Sequence, residues 1–375
     1  MKIFVLGSFA SSLSNFRGKL LAALSNAGAE LHLAAPDLLS DAATLQALAA
    51  LGGRRHDIPL MRTGMNPLQD GGTLLAAVRL LHQVKPTHFL GYSIKPAIYG
   101  TLAAWLAGVP RRTVLITGLG YAFSGRATGL RGMLQHMLRL LYRLALSRAT
   151  CVIFQNPDDR ALFIQLRLVD PSKTAVVNGS GIPLDDFPQR PLPPPAQCHF
   201  LLIARLLRDK GINEYIEAAR NIRRRYPQAV FHLAGWIDSN PAAIAESDLQ
   251  SWIADGVIVY HGRLADVRPV LAACHVYVLP SYREGTPRTV LEAMATGRPV
   301  ITTDAPGCRE TVVDGDNGFL VPIADAAALA VAMERFLDDP SLIPRMGQRS
   351  REIAQEKYDV HAVNAAMLNH MGVLA

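Results

Sequence analysis

Val276-Tyr-Val-Leu-Pro-Ser-Tyr-Arg-Glu-Gly-Thr-Pro-Arg-Thr-Val-Leu-Glu-Ala293 changes its period midway. Val276–Leu279 is an apolar, β-forming run that ends at Pro280, and a short run bounded by turn residues reads as a strand. From Thr286 the pattern is helical, with Pro287 in the first turn, where a missing N–H costs little. Strand, loop and helix in this order form one unit of a parallel sheet with helices on its faces.

The same alternation runs outward in both directions. Upstream, Phe200–Ala204 reads as a strand, Lys210–Tyr226 as a helix, and Ala229–Ala234 and Val257–Tyr260 as strands. Downstream, Pro299–Thr302 and Gly318–Val321 continue the series. In the first half, strands are expected at Ile3–Leu6, Glu30–Ala34, Asp57–Leu60, Thr87–Gly91, Thr113–Ile116, Cys151–Gln155 and Ala175–Asn178, with a helix over Asn15–Ala27. Between the halves lies Asp186-Phe-Pro-Gln-Arg-Pro-Leu-Pro-Pro-Pro-Ala-Gln197. Its prolines can continue neither a helix nor a central strand. The pattern predicts an α/β protein with two doubly wound domains, 1–187 and 198–355, joined by a stiff linker at 188–197 and followed by a helical tail at 356–375.

Composition agrees with this division. The chain has 375 residues, 50% of them hydrophobic, enough for two cores. Its net charge of +7 suits an anionic partner. Nucleic acid is disfavoured, because no aromatic stacking platform or recognised motif accompanies the charge. Cys151, Cys198, Cys274 and Cys308 are far apart, which argues against a disulfide framework or zinc ribbon and for small core hydrophobes. No signal peptide and no apolar run of about 18 residues is evident, so a cytoplasmic location without a spanning helix is expected.

In open parallel sheets, ligands bind beyond the carboxyl ends of the strands. Glu284 falls just before the helix that starts near Thr286, and Glu292 about two turns into it. The amides of Arg288, Thr289 and Val290 face any anion at that helix start. After Phe200–Ala204, Arg205 and Lys210 leave the same sheet edge. Two cations with helix amides suit a diphosphate. From spacing alone, Glu284 serves equally as a helix cap, Glu292 as a solvated helix residue, and Arg205 and Lys210 as an ordinary basic loop. In the first half, Gly7-Ser8 follows the first strand, and a glycine turn lets a ligand approach the backbone. There is no G-x-G-x-x-G, which argues against a dinucleotide oxidoreductase.

Together these features resemble the retaining glycosyltransferases of family 4. The most specific element is E-x7-E, matched by Glu284 and Glu292, with the accompanying Arg205 and Lys210. Glu-Ala-Met-Ala-Thr-Gly-Arg-Pro-Val (292–300) and Glu-Thr-Val-Val-Asp-Gly-Asp-Asn-Gly-Phe-Leu-Val (310–321) follow the family's phrasing. The resemblance covers essentially the whole chain. It implies the GT-B fold, with two Rossmann-like domains facing across a cleft. Residues 1–187 would bind the acceptor, 198–355 the nucleotide sugar, and 356–375 would return to the first domain.

The resemblance also implies roles. Arg205 and Lys210 would hold the donor diphosphate and stabilise the leaving group, and Glu284 would contact donor-sugar hydroxyls; these three form the expected catalytic set. Glu292 would bind the ribose. Gly285, Thr286 and the amides of Arg288, Thr289 and Val290 would cradle the phosphates. Gly262, Arg263 and Leu264 would contact the base, and Gly7 would face the donor. Asn15, Arg17, Lys95, Gly118 and Gly120 are the acceptor candidates, with Arg17 and Lys95 equally readable as exposed cations. Thr117 stands where some relatives carry Glu or His, which puts a side-chain acid or base there in doubt.

Tyr-Arg-Glu-Gly (282–285), Ile-Ala-Arg-Leu (203–206) and Gly-Leu-Gly (118–120) are similar to bacterial N-acetylgalactosaminyltransferases acting on undecaprenyl-diphosphate-linked diacetylbacillosamine. That implies a UDP-sugar donor, a polyprenyl-diphosphate-linked acceptor, front-face retaining transfer, and neither cofactor nor metal. Alternatives are a UDP-sugar epimerase, which lacks this E-x7-E with its Arg/Lys pair, or a non-catalytic sugar-nucleotide-binding protein. Finally, Met133, Leu134, Met137, Leu138, Leu140, Leu141 and Leu144 share a helical face, with Arg131, Arg139 and Arg143 opposite and Arg126 and Arg148 flanking. The expected arrangement is apolar face inward and arginines toward an anionic membrane on its inner side.

Overall fold

The computed structural model describes residues 1–61, 66–119, 129–238, 240 and 242–374. They form two units, Met1–Ser180 with His361–Ala375, and Gly181–Val360.

The first unit carries strands β1 (Lys2–Leu6), β2 (Glu30–Ala35), β3 (Arg54–Asp57), β4 (His88–Tyr92), β5 (Arg111–Ile116), β6 (Cys151–Phe154) and β7 (Thr174–Val176). All pair in parallel, in the order β3-β2-β1-β4-β5-β6-β7. Its helices are α1 (Ser11–Asn15), α2 (Gly18–Asn26), α3 (Ala42–Ala47), α4 (Pro67–Val84), α5 (Thr101–Leu106), α6 (Gly129–Arg148) and α7 (Pro157–Gln165). The second unit carries β8 (His199–Ile203), β9 (Val230–Ala234), β10 (Val259–Tyr260), β11 (Val276–Leu279), β12 (Val300–Thr303) and β13 (Gly318–Val321), again parallel, in the order β10-β9-β8-β11-β12-β13. Its helices are α8 (Ile212–Arg225), α9 (Glu246–Ala254), α10 (Arg268–Ala272), α11 (Arg288–Ala295), α12 (Ala326–Asp338) and α13 (Leu342–Tyr358).

Each sheet reverses its winding once, between β1 and β4 and between β8 and β11. A crevice opens at such a switch point because the flanking loops run to opposite faces. The central strands β1, β4, β8, β11 and β12 are largely buried, as strands covered on both faces must be, while the edge strands β3, β7 and β10 are not. The last helix, α14 (Val360–Met371), places Met367, Leu368 and Met371 in the core of the first unit, against Leu21, Leu24 and Leu31.

Several expectations need correction. The Pro-rich stretch at 188–197 does not join the two units, because it is clamped within the second one. Arg298, fully buried, donates to the carbonyls of Leu271, Arg190, Pro191 and Ala272 at 2.9–3.0 Å. Five N–H donors in a fixed fork explain why one arginine can hold four carbonyls. The chain therefore passes between units at 180/181, and it returns at 360/361. Within the second unit the two passages lie side by side: Ile182 N–H donates to Tyr358 O at 2.8 Å, and Val360 N–H to Ile182 O at 3.1 Å.

The strand expected over Asp57–Leu60 lies at Arg54–Asp57, because Pro59 has no N–H for the ladder. The helix expected over Asn15–Ala27 is two helices broken at Phe16–Arg17. In α6 the buried stripe is Leu138, Tyr142, Ala145 and Leu146. Met133, Met137, Leu140 and Leu144 are 63, 38, 51 and 49% exposed. Both stripes have helical spacing, and the larger part of the expected inward face points outward. Arg126 and the side chain of Arg131 lie outside the described residues.

Candidate functional site

The switch point of the second sheet is built from two loops. After β8 the chain runs through Arg205 and a tight turn at Arg208–Lys210 into α8. Gly211 there has φ +69°, and an added Cβ would lie 2.1 Å from Pro280 O, so only glycine lets the two loops touch. After β11, the loop of residues 280–287 is braced from its neighbours. Tyr282 N–H and Ser281 Oγ–H both donate to Asp209 O, at 2.8 and 3.1 Å, and Glu284 N–H donates to Pro306 O at 3.0 Å. Thr302 Oγ1–H holds Leu279 O at 2.7 Å, and Thr303 Oγ1–H holds Ser281 O. Gly307, at φ +81°, would bring a Cβ to 2.1 Å from Glu284 O.

These braces place Lys210 against Glu284, with Nζ and Oε1 2.6 Å apart. The side chains are only 13 and 18% exposed. Burial works against the Lys210 ammonium, but the charge and hydrogen bond of Glu284, with Asp209 behind, outweigh it and hold its pKa above the ordinary value. Arg205 Nη1–H donates to Asp238 Oδ2 at 3.0 Å and is close enough for its charge to oppose that of Lys210.

Glu292 sits one helical turn inside α11, and Arg288 Nε–H reaches its Oε1 at 2.9 Å. Burial raises the Glu292 pKa, against the pull of Arg288. Pro287 forms the N-cap of α11, and Val290 N–H already donates to Pro287 O at 3.1 Å. That engagement removes Val290 from the expected set of amides for an anion. Gly285 and Thr286 lie in the braced loop, with Thr286 Oγ1 on Gly285 O at 3.0 Å. The Thr289 side chain lies near the Tyr277 hydroxyl, which donates to Ile203 O at 3.1 Å. At the neighbouring strand end, Gly262 has φ +64° and its carbonyl accepts from Gly235 N–H at 2.8 Å. The Arg263 guanidinium lies 4.9 Å from the Trp236 ring centroid, and Leu264 packs on the core below.

In the first unit, Gly7 is explained by packing, since an added Cβ would meet Tyr92 Oη at 2.5 Å. Tyr92 Oη and Ser12 Oγ share a hydrogen bond of 2.8 Å, and burial pushes the Tyr92 pKa up to about 12. Arg17 is buried, stacks 5.1 Å from the Tyr92 centroid and donates to Ser180 Oγ at 3.0 Å, so it is not an exposed cation. Asn15 is exposed at the end of α1. Gly118 follows β5 with φ +130°, and Gly120 lies outside the described residues. Lys95 departs most from expectation. It is buried, and its Nζ pairs with Asp70 Oδ1 at 2.7 Å, while Tyr99 Oη–H donates to Asp70 Oδ2 at 3.0 Å. Its charge is compensated within the unit, so Lys95 is a buried ion-pair partner and not an exposed cation.

Sequence reasoning missed Asp238, Trp236 and the Arg288 side chain. The first two follow β9, next to β8 in the sheet, and a reading of strand-end loops extended to β9 would have found them. Among the described residues no group of His, Cys, Asp and Glu is placed to hold a metal ion.

Comparison with known proteins now gives the class. Residues 14–179 match the family described as glycosyl transferase 4-like domain, and residues 197–339 match glycosyl transferases group 1. The chain belongs to this glycosyltransferase family. It is 27% identical, over 97% of its length and 96% of the relative's, to N,N'-diacetylbacillosaminyl-diphospho-undecaprenol alpha-1,3-N-acetylgalactosaminyltransferase of Campylobacter jejuni. It is also 27% identical, over 77% of its length and 76% of the relative's, to UDP-Gal:alpha-D-GlcNAc-diphosphoundecaprenol alpha-1,3-galactosyltransferase of Escherichia coli. Sucrose-phosphate synthase of Thermosynechococcus elongatus superposes with a TM-score of 0.80 at 20% identity, over 98% of both chains. Anabaena HepE, solved in complex with UDP, superposes with a TM-score of 0.75 at 19% identity over the full length of both. The fold is GT-B, as the sequence predicted.

Proposed function

We propose that the protein transfers an N-acetylhexosamine, GalNAc in the first instance, from its UDP-sugar to a saccharide on a polyprenyl diphosphate. The observation that carries this reading is the Lys210–Glu284 pair at the switch point of the second sheet, with Arg205 beside it and Glu292 further along α11. Lys210 and Arg205 take the donor diphosphate. As the glycosidic bond breaks, charge grows on the leaving diphosphate, and two fixed cations stabilise it there more than in the ground state. Glu284, released from Lys210 as the diphosphate competes for the ammonium, accepts from donor-sugar hydroxyls, and Glu292 from the ribose. The base lies by Gly262 and Arg263. Configuration is retained by front-face attack, the departing phosphate oxygen taking the acceptor's proton.

Neither cofactor nor metal takes part, so activity survives EDTA. The acceptor choice rests on the two relatives whose names specify diphospho-undecaprenol saccharides. The test is radiolabelled UDP-GalNAc with lipid-linked acceptor, with and without EDTA, followed by NMR of the product anomer. An inverted anomer would overturn the retaining mechanism, and loss of activity in EDTA the metal-free one.

The enzyme works at the inner face of the membrane as a peripheral protein. No helix among the described residues is long and apolar enough to cross a bilayer. The outward stripe of α6, flanked by exposed Arg143 and by Arg148, 4.2 Å from the Trp105 ring centroid, suits an anionic lipid surface. Leu140→Glu with Leu144→Glu removes the protein from phosphatidylglycerol vesicles in sedimentation; unchanged pelleting would refute this surface.

A further inference from the structure

We propose that a cavity at the carboxyl ends of β1 and β2 holds the sugar of the acceptor, a pyranose carrying hydroxyl or acetamido groups; this rests on the transferase reading above. The cavity measures about 390 Å³, within the usual range of small-molecule sites, and Ser8, Phe9, Ser11, Asp37, Ser40 and Leu60 line it. Ser8 follows β1 and Asp37 follows β2, so the cavity lies at the sheet edge where open α/β sheets take ligands.

The loop after β2 is built rather than slack. Ser40 Oγ–H and Asp41 N–H donate to Asp37 O at 3.0 and 3.2 Å. Asp41 accepts from Thr44 N–H and Oγ1–H, both at 2.9 Å, and Leu39 N–H donates to Asp57 Oδ1 at 2.8 Å. This frame holds Asp37 at φ +52°, a conformation uncommon outside glycine that persists only where the surroundings enforce it. Within the described residues the Asp37 carboxylate and the Ser8 and Ser11 hydroxyls have no hydrogen-bond partner.

The chemistry of the lining selects the ligand. Among the described residues no Lys or Arg lines it, and the Asp37 carboxylate there repels a diphosphate. A carboxylate beside hydroxyls accepts O–H and N–H donors, which a pyranose offers on its edge. Phe9 and Leu60 supply apolar surface for its C–H face. An adjoining cavity of about 420 Å³ shares Asp37 and Leu60 and continues past Ile58 and Met61, with room for an acetamido methyl or a second sugar.

The test compares wild type with Asp37→Asn and Ser8→Ala, each checked for an unchanged melting temperature. Acceptor KM rises by about tenfold or more in Asp37→Asn, the cost of one charge-assisted hydrogen bond, while kcat and calorimetric UDP affinity stay at wild-type values. Saturation-transfer NMR with methyl N-acetylgalactosaminide and methyl N-acetylglucosaminide gives signals in wild type that Asp37→Asn loses and inorganic pyrophosphate does not displace. Unchanged acceptor KM, absent sugar signals, or displacement by pyrophosphate would overturn the assignment. Sugar signals that depend on Asp37 in a protein showing no transfer would uphold the subsite and refute the transferase reading instead.

Discussion

Lys210→Met separates two roles that one ion pair joins. At 2.6 Å and an effective dielectric constant of about 20, Lys210 and Glu284 attract by roughly 6 kcal/mol, most of it offset by the desolvation of both groups. Removing the lysine strands a carboxylate whose side chain is 18% exposed, at a cost of about 3 kcal/mol, or roughly 6–12 °C in Tm for a unit of this size. It also removes a cation from the leaving diphosphate, which costs about 10²–10³ in kcat. Lys210→Met/Glu284→Gln takes away the stranded charge as well. Its Tm should return to within a few degrees of wild type, while kcat stays at the level of the single variant or lower. Thermal melts and initial rates of sugar transfer on the four proteins of this cycle decide the matter. A Lys210→Met kcat within a few-fold of wild type, or a double variant that regains kcat along with Tm, would refute the electrostatic role.

Two further outcomes follow from the structure. Asp70→Ala leaves the Lys95 ammonium buried and should destabilise by about 3–5 kcal/mol in urea melts, whereas Asp70→Leu/Lys95→Met regains most of that and keeps acceptor KM; a large KM rise in the double variant would return Lys95 to the acceptor site. In the second unit, His199 Nδ1 meets His232 Nε2, and His232 Nδ1 meets His261 Nε2, each at 2.9 Å. Burial first, then the neighbouring rings, lower the His232 pKa to about 4. The unfolded chain therefore binds the extra proton first, so stability is fully present above the unfolded value of about 6.5 and is lost as pH falls toward 4. The loss is on the order of 2 kcal/mol once the ring's partial exposure is allowed for. His232→Gln should flatten the Tm–pH curve across that window; an unaltered curve would remove His232 as its cause.

What the sequence revealed and concealed has physical causes. Lys210 and Glu284 were legible because each lies in a loop directly after a strand, and parallel pairing brings such loops to one edge. Asp238 and Asp70 were not, because each meets its cation through tertiary packing, 33 and 25 residues away along the chain. In α6, Leu138 and Tyr142 on one side and Met137 and Leu140 on the other both have helical spacing, so periodicity cannot say which stripe is buried. The prolines of 191–195 marked a segment that continues neither helix nor central strand. Nothing local showed that Arg298, more than a hundred residues on, would capture its carbonyls.

The most direct measurement is extraction of product after incubating the protein with radiolabelled UDP-GalNAc and an undecaprenyl-diphosphate-linked saccharide. Label in the lipid phase, with the α-anomeric configuration of the donor and loss of the signal in Lys210→Met, is the predicted result. Label that stays entirely in the aqueous phase, as intact donor, isomerised donor or free sugar, would contradict a lipid-linked acceptor and the transfer chemistry built on it.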